Sequence, residues 1–429
     1  MRISDGLRWL CCISLSLAAH VLSAAPHSGI LSIVSGPNAL QTCALMVDKR
    51  LACWGNGSPV ALPFDVVGQN VIAASLGYNF GCAIVASGYV YCWGGAMDIT
   101  PATSNSSGQM GDGTTTPRKT AALVTTYLGA FGPAVAIAAG NDHVCAIDID
   151  SGVWCWGSNE FGQIGNLTVG IGNNAVHPMQ VLVRDDTTTP PNPALLNIKQ
   201  IVTGLRTTCG LFTDNHAACW GYGWDGELGT GEFHLYSIDS PQTVTVPSGS
   251  GNVNLVFGGA QLVAGQYHLC GLISDSPIDS IGCWGANGHG QLGDGSTDAR
   301  SFAVASTDEA GKITNAFDLS AGFAFSCAIL ADSSVRCWGS DEELELGQSA
   351  AGSNASSGIK IINSDGSPLT GITQLAAGAF HACGMATDRT VHCWGDNSYG
   401  QLGVTTPTKR AYPMKVSIDT PLFYANFDE

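Results

Sequence analysis

Fourteen cysteines arranged as seven similar pairs place the strongest constraint on the fold of this chain. The chain has 16 cysteines, of which Cys11 and Cys12 lie within the first 25 residues and the other fourteen follow. In six pairs the cysteines are ten residues apart, and in one pair they are thirteen apart. The pairs are Cys43 with Cys53, Cys82 with Cys92, Cys145 with Cys155, Cys209 with Cys219, Cys270 with Cys283, Cys327 with Cys337 and Cys383 with Cys393. Each second cysteine begins the tripeptide Cys-Trp-Gly, so a unit repeated seven times organises the fold.

The residues around each pair indicate a β-hairpin. Short apolar runs such as Cys82-Ala-Ile-Val and Tyr89-Val-Tyr-Cys92 flank a polar turn, which is the pattern of two strands joined by a tight connection. A separation of ten places the two cysteines opposite each other, where Cβ atoms are ~4.5–5.5 Å apart. That distance is near the range that a disulfide closes. We therefore predict seven disulfides, each within one repeat; reduced cysteines in the core are the alternative.

The order Cys-Trp indicates how the hairpins pack. Neighbouring residues of a strand point to opposite faces, so sulfur and indole lie on different faces of one sheet and both faces need covering. Radial stacking of the sheets achieves this, because the tryptophan face of one sheet meets the disulfide face of the next. Successive Cys-Trp-Gly tripeptides are 39, 63, 64, 64, 54 and 56 residues apart, a spacing that suits four-stranded blades, the first of them trimmed.

The expected fold is therefore all-β, a single seven-bladed β-propeller over residues 26–418 with one disulfide in each blade. The last strand-like segment, Pro413-Met-Lys-Val416, resembles earlier segments such as Pro178-Met-Gln-Val181. We expect this segment to complete the blade begun by the N-terminal hairpin, so that strands from both termini close the ring and remove open edges.

Two recurring motifs carry a family resemblance. The loops after Cys-Trp-Gly include Asn287-Gly-His-Gly-Gln-Leu-Gly293 and Asn397-Ser-Tyr-Gly-Gln-Leu-Gly403, and Ala377-Gly-Ala-Phe-His-Ala-Cys383 stands before a first cysteine. Over about residues 30–418 the chain resembles the regulator of chromosome condensation repeat family, which implies a seven-bladed propeller. Its architecture and export are also similar to those of beta-lactamase inhibitory protein II, a propeller that binds an enzyme.

The first 25 residues have the layout of a secretory signal peptide. Arg2 and Arg8 precede an apolar run from Trp9 to Leu22, and Ser23-Ala-Ala25 provides small residues for cleavage. We expect an exported protein of the periplasm, cell surface or medium, not inserted in a membrane after cleavage, with residues 419–429 as a short tail. The formal charge of −17, without a cluster of Lys or Arg, excludes nucleic acid as a partner.

No pattern in the sequence predicts catalysis. Gly221-Tyr-Gly-Trp-Asp-Gly226 and Gly288-His-Gly-Gln-Leu-Gly293 match a dinucleotide motif, but neither begins a helix that would receive a pyrophosphate. His143, His268 and His381 precede first cysteines by two residues, where other repeats have Phe, so we interpret them as packing residues and not metal ligands. We expect a non-enzyme without cofactor, metal or catalytic residues.

One loop departs from the repeat and is the predicted partner-binding site. After the fourth Cys-Trp-Gly it carries the aromatic residues Tyr222, Trp224, Phe233, His234 and Tyr236. Exposed aromatic residues are typical of binding hot spots, although packing over the end of the blade is the alternative.

The predicted function is that of a monomeric, secreted scaffold that binds an unknown protein through loops on one face. Inhibition of the bound protein is one role that such a scaffold could have. Two alternatives remain open. One is guanine-nucleotide exchange on a small GTPase, which the family resemblance implies. The other is hydrolysis or lyase chemistry, for which the sequence shows no catalytic set.

Overall fold

A computed structural model describes the chain over residues 29–55, 70–94, 105–118, 120–185, 187, 192–248, 251–273, 280–348, 352–404 and 408–416. Within these ranges the chain forms seven blade sheets and two separate two-stranded sheets, and the one helical segment is the 3₁₀ turn Ile171–Asn173. The predicted signal peptide and the predicted tail lie outside the described residues, as do residues 56–69 between the first two blades.

Each repeat forms one blade, and within each blade neighbouring strands pair in chain order. The first blade contains Ile30–Val34, Gln41–Met46 and Leu51–Gly55. The second blade contains Val71–Leu76, Phe80–Val85, Val90–Gly94 and Ala122–Leu123. The third blade contains Ala134–Ala139, His143–Asp148, Val153–Gly157 and Ala175–Gln180. The fourth blade contains Ile198–Thr203, Thr207–Phe212, Ala217–Gly221 and Ile238–Thr243. The fifth blade contains Phe257–Ala264, His268–Ile273, Ser280–Gly285 and Arg300–Ala305. The sixth blade contains Ala316–Ala321, Phe325–Leu330, Val335–Gly339 and Ala355–Lys360. The seventh blade contains Ile372–Ala377, His381–Ala386, Val391–Asp396 and Lys409–Lys415.

The first strand of each blade lies innermost, where it contacts the first strands of the neighbouring blades. Short hairpins follow three of the outer strands. Their strands are Thr125–Thr126 with Gly129–Ala130, Thr245–Ser248 with Gly251–Asn254, and Thr307–Asp308 with Gly311–Lys312. The result is a seven-bladed propeller, as the repeat pattern predicts.

All seven predicted disulfides are present, each between the second and third strands of one blade. The two cysteines are direct partners in the strand register of every blade, with Cα atoms 3.9–4.1 Å apart. The pair with the wider separation keeps the same register, and its strands pair one step further, as far as Ile273 with Ser280. The bonds join Cys43 to Cys53, Cys82 to Cys92, Cys145 to Cys155, Cys209 to Cys219, Cys270 to Cys283, Cys327 to Cys337 and Cys383 to Cys393, which confirms the predicted pairing.

The core consists of contacts between the disulfide of one blade and the tryptophan of the next. Cys145 and Cys155 pack with Trp220 in one buried cluster. The Trp220 indole Nε1 donates a hydrogen bond to the Gln163 carbonyl oxygen at 3.0 Å, which also ties the third blade's loop to the fourth blade. Equivalent bonds join Trp156 to Gln109, Trp284 to Glu227, Trp338 to Gln291 and Trp394 to Glu345. The predicted radial stacking is thereby confirmed.

Close approach between blades explains the glycine that stands five residues before most first cysteines. A Cβ atom added at Gly140 would lie 2.6 Å from the carbonyl oxygen of Gly204, the matching glycine in the next blade. Real Cβ atoms do not approach backbone oxygen so closely, so a side chain at this position would push the inner strands apart.

Buried histidines link alternate pairs of blades. The His143 Nε2 atom lies 3.0 Å from Thr208 Oγ1, and that hydroxyl donates to the Gln163 carbonyl oxygen at 2.9 Å. Because the hydroxyl proton is used there, His143 Nε2 must carry a proton and donate it to Thr208, and complete burial keeps the ring neutral. Burial lowers the pKa of His143 to about 3. His268 repeats the arrangement with Ser326 at 2.8 Å, and His381 Nε2 lies 2.7 Å from Thr42 Oγ1.

The prediction that the C-terminal strand completes the first blade is wrong. Lys409–Lys415 pairs with Val391–Asp396, and therefore completes the seventh blade instead of the first. The reason is register, because Met414 pairs with Cys393 just as Met179 pairs with Cys155 in the third blade.

The ring instead closes by contacts between complete blades. The Gln374 side-chain amide accepts from the Ile33 backbone N–H and donates to the Ile33 carbonyl oxygen, both at 3.0 Å. Gln200 makes the same pair of bonds to Leu262 in the next blade along. The first and last blades therefore meet as the fourth and fifth blades do, with a side-chain amide supplying backbone-like hydrogen bonds.

Candidate partner-binding site

One end of the propeller carries the loops that contain the recurring Gly-Gln-Leu-Gly motif. Since strands alternate in direction, the turns after the innermost strands and the loops after the third strands emerge at the same end of each blade. We call this end the loop face. It comprises the turns 77–79, 140–142, 204–206, 265–267, 322–324 and 378–380 and the loops 105–118, 158–174, 222–237, 286–299, 340–348 and 397–404.

Aromatic side chains from three blades gather around Tyr222 on the loop face. The Tyr222 ring centroid lies 5.4 Å from that of Phe161 and 5.7 Å from that of Tyr267. Trp224 stacks on Tyr222 with centroids 5.5 Å apart and an interplanar angle of 26°. The Arg206 guanidinium carbon lies 4.3 Å from the Phe161 ring centroid. We call Phe161, Arg206, Tyr222, Trp224 and Tyr267 the aromatic cluster.

Backbone hydrogen bonds fix the base of this cluster. The Tyr222 N–H donates to the Arg206 carbonyl oxygen at 3.0 Å, and the Tyr222 carbonyl oxygen accepts from Thr207 Oγ1 at 2.8 Å. The turn beyond Trp224 is closed by the Asp225 N–H, which donates to Glu227 Oε2 at 2.9 Å. These bonds attach the rings to rigid elements, so they are held in place before any partner arrives.

Trp224 is the most accessible ring of the cluster, with 53% of its surface exposed. Tyr222 is half-buried between its neighbours. Burial, with Glu227 and Asp225 nearby, raises the pKa of Tyr222 to about 12, and burial also raises the pKa of Tyr267. Both phenols therefore stay neutral and can donate a hydrogen bond.

The structure brings together only part of the predicted set. Tyr222 and Trp224 lie in the aromatic cluster, whereas Phe233, His234 and Tyr236 lie farther along the same loop. His234 is held near the loop base, with its Nε2 2.7 Å from Thr230 Oγ1 and its N–H bonded to the Gly223 carbonyl oxygen. Phe233 and Tyr236 are exposed.

Sequence reasoning missed Phe161, Arg206 and Tyr267, because each belongs to another turn or loop. Arg206 and Tyr267 both stand three residues before a first cysteine, and Phe161 stands two residues before a loop glutamine. Both positions vary between repeats and emerge on the loop face. Comparison of the variable positions at this end of the repeats was the signal that could have found them.

Two buried glutamates replace the glutamine of the loop motif. In other loops the glutamine side-chain oxygen accepts from the backbone N–H two residues earlier, as Gln163 does from Phe161 at 2.8 Å. Glu227 and Glu345 keep this bond through Oε2, but both are almost fully buried. Burial raises the pKa of Glu345 to about 8 and that of Glu227 well above its ordinary value. The Glu345 carboxyl is therefore protonated at neutral pH.

Replacing Glu345 with glutamine is expected to stabilise the protein increasingly as pH rises. A carboxyl with a raised folded-state pKa contributes its full stability below about pH 4.5 and loses it as pH rises through about 8. Glutamine does not titrate, and Ser340 stands where Ser158 accepts from Gln163 Nε2 in the third blade. Glu345→Gln should gain about 3 kcal/mol at pH 7, since each pKa unit corresponds to about 1.4 kcal/mol.

Denaturant unfolding of both proteins at pH 4.5, 7 and 8 measures this gain. Glu343→Gln is the matched control, because Glu343 pairs with Lys409 at the surface at 2.6 Å and its loss should change stability little. A stability difference for Glu345→Gln that does not vary with pH would mean that the carboxyl ionises without cost.

The described residues offer no metal centre and no membrane-spanning helix. Within the described ranges, no three His, Cys, Asp or Glu side chains group closely enough to hold a metal ion. No helix in the part of the chain that the structure describes has the length and apolar character needed to cross a bilayer.

Comparisons with known proteins agree with the repeat and the fold. The sequence matches the profile described as Regulator of chromosome condensation (RCC1) repeat at residues 71–109, 134–163, 318–343, 372–401 and 388–421. It is 24% identical over 416 residues to the ultraviolet-B receptor UVR8 of Arabidopsis thaliana, an alignment that covers 92% of this chain and 83% of the receptor. It is 27% identical over 293 residues to the human probable E3 ubiquitin-protein ligase HERC6, covering 66% of this chain but 25% of that protein.

Solved structures show the same fold. Human WBSCR16 superposes with a TM-score of 0.64 at 18% identity, covering 84% of each chain. Prp20p of Saccharomyces cerevisiae, whose binding to Gsp1p and histones has been characterised, superposes with a TM-score of 0.62 at 19% identity, covering 82% of this chain and 80% of that one. The recurring motifs, the profile matches and the seven blades together show a seven-bladed propeller that contains regulator of chromosome condensation repeats.

Proposed function

We propose that the chain is an exported, non-enzymatic scaffold that binds a protein partner through the aromatic cluster. The observation that carries the proposal is Trp224, a large ring held in a fixed position with 53% of its surface exposed. Clustered aromatic side chains are enriched among the few residues that supply most of the free energy of binding at protein interfaces. Their fixed positions lower the entropy lost when a partner is bound.

The contrast with the repeat tryptophans supports a binding role. The tryptophans of all seven repeats are buried and pack on a neighbouring disulfide, but Trp224 lies outside every buried core cluster of the described residues. The matching position in other repeats holds residues such as Glu160, Gly288 and Ser398, so the scaffold does not require an aromatic residue there. Packing alone therefore does not explain why an aromatic residue stands there.

Two further observations support the export and the mode of action. Seven disulfides suggest an oxidising environment, since such bonds persist mainly in exported proteins. Prp20p, which shares the fold, is a protein that binds other proteins. Because this likeness is one of fold, the partner of this chain must be found through its own site.

Replacing Trp224 with alanine is expected to abolish capture of the partner while the propeller stays folded. Hot-spot aromatics at interfaces contribute about 2 kcal/mol or more, which corresponds to roughly a thirtyfold loss of affinity. The measurement is affinity capture from the native extracellular milieu with the protein and its variants as parallel baits. Each captured species is then titrated against the purified baits.

Phe317→Ala is the matched control, because Phe317 is 48% exposed but lies at the start of an innermost strand, at the end of the propeller opposite the loop face. The proposal requires a stoichiometric partner that Phe317→Ala retains and Trp224→Ala loses. A partner lost with Phe317→Ala and retained with Trp224→Ala would place binding on the opposite face and contradict the proposal.

A further inference from the structure

Trp224 has one face covered and one face open. Tyr222 stacks on one side at 5.5 Å, and among the described residues this is the ring contact that Trp224 makes. The residue nevertheless keeps 53% of its surface exposed. The site therefore presents a flat aromatic face, backed by a second ring, to whatever approaches the loop face.

The surroundings of the aromatic cluster are acidic. Asp225 follows Trp224 directly and Glu160 precedes Phe161, while Asp142 lies in the neighbouring turn. Arg206 is the single cation of the aromatic cluster and acts electrostatically on Asp142, as does Glu160. Three carboxylates thus accompany one guanidinium, on a chain whose formal net charge is −17.

The cluster already contains one guanidinium on an aromatic ring. Arg206 lies 4.3 Å from the centroid of Phe161, within the distance at which a cation is attracted by a ring face. A planar guanidinium suits such stacking better than an ammonium, and tryptophan is the best of the aromatic acceptors. The exposed ring of Trp224 offers the same chemistry at a position that the described residues leave unfilled.

We infer that the aromatic cluster takes a cationic segment of the partner, with an arginine side chain stacked on the open face of Trp224 and paired with nearby carboxylates. The inference rests on the proposed function and specifies the chemistry of the partner. An acidic segment would meet Asp142, Glu160 and Asp225, so the charges favour a basic occupant. The net charge of the chain would also steer a basic partner toward it.

Synthetic peptides test the charge and the residue type directly. Three dye-labelled nonapeptides that alternate glycine with arginine, lysine or glutamate are titrated by fluorescence anisotropy at low salt. We expect the arginine peptide to bind most tightly, the lysine peptide more weakly and the glutamate peptide not at all. Trp224→Ala should weaken binding of the arginine peptide about tenfold, from the strength of a partly desolvated cation–π contact. Phe317→Ala should leave binding unchanged.

Two substitutions that change the charge of the site are expected to change the affinity for the arginine peptide in opposite directions. Asp225→Asn removes a carboxylate without altering the backbone bond to Glu227, so binding of the arginine peptide should weaken severalfold. Arg206→Gln removes a like charge, so binding should tighten severalfold. If the site instead recognised a carboxylate, Arg206→Gln would abolish binding and the glutamate peptide would be preferred.

Preference for the glutamate peptide, loss of binding with Arg206→Gln, or absence of arginine-peptide binding at millimolar concentration would each overturn the inference. Failure of the inference is distinguishable from failure of the proposed function. A natural partner could be lost with Trp224→Ala but bind equally well to the Asp225→Asn and Arg206→Gln variants. The aromatic cluster would then remain the binding site, and the inferred cationic occupant would be wrong. A partner indifferent to Trp224→Ala would overturn both.

Discussion

Reduction of the seven disulfides is expected to unfold the propeller under conditions where the oxidised protein is stable. Each bond closes a ring of about eleven residues, which in the loop-entropy description contributes on the order of 2–3 kcal/mol. The seven together amount to roughly 15–20 kcal/mol, and the total stability of a folded domain is typically about 5–15 kcal/mol. Circular dichroism melting with and without reductant measures the change.

A variant that lacks one of the seven disulfides is the control for this experiment. Cys270→Ser with Cys283→Ser removes one bond and should lower the free energy of unfolding by about 2–3 kcal/mol without unfolding the chain. Peptide mapping without reduction should recover seven links, each within one blade. Free thiols throughout, or links between blades, would contradict both the hairpin register and the expected export.

Replacing Trp220 with alanine is expected to lower the free energy of unfolding by ~3–5 kcal/mol, as truncation of a buried tryptophan does. Trp220 is fully buried against the disulfide of the third blade, and its indole N–H ties that blade's loop to the fourth blade. The substitution opens a cavity between the two blades and removes this hydrogen bond. Denaturant unfolding at equilibrium gives the change.

Trp224→Ala provides the comparison, since the two tryptophans stand four residues apart but differ in burial. The exposed indole of Trp224 should cost about 0.5 kcal/mol or less on truncation, as is usual for surface substitutions. Equal losses of stability for the two variants would mean that the loop around Trp224 is part of the packing, and the site assignment would then be wrong.

The scaffold was predictable from the sequence because its contacts are repeated seven times. The spacing of Cys145 and Cys155 implies their register, and the position of Trp156 directly after Cys155 implies that both faces of the sheet are covered. The closure of the ring was not predictable in the same way. The similarity of Pro413-Met414 to Pro178-Met179 identifies an outer strand, but it does not say which blade the strand joins.

The site was predictable only where its residues are neighbours in the sequence. Tyr222 and Trp224 share one loop, so their departure from the repeat could be seen. Phe161 and Tyr267 come from adjacent blades, and their approach to Tyr222 depends on how far each blade is rotated about the propeller axis. A local pattern carries no information on that rotation.

Footprinting of the complex tests the central claim most directly. Hydroxyl radicals oxidise exposed aromatic and aliphatic side chains, and a bound partner protects those that it covers. We predict protection of Trp224 and Tyr222 on binding, with Phe317 and Val135, which are exposed at the opposite end of the propeller, oxidised at the same rate in both states. Protection of Phe317 and Val135 together with unchanged oxidation of Trp224 would contradict the account.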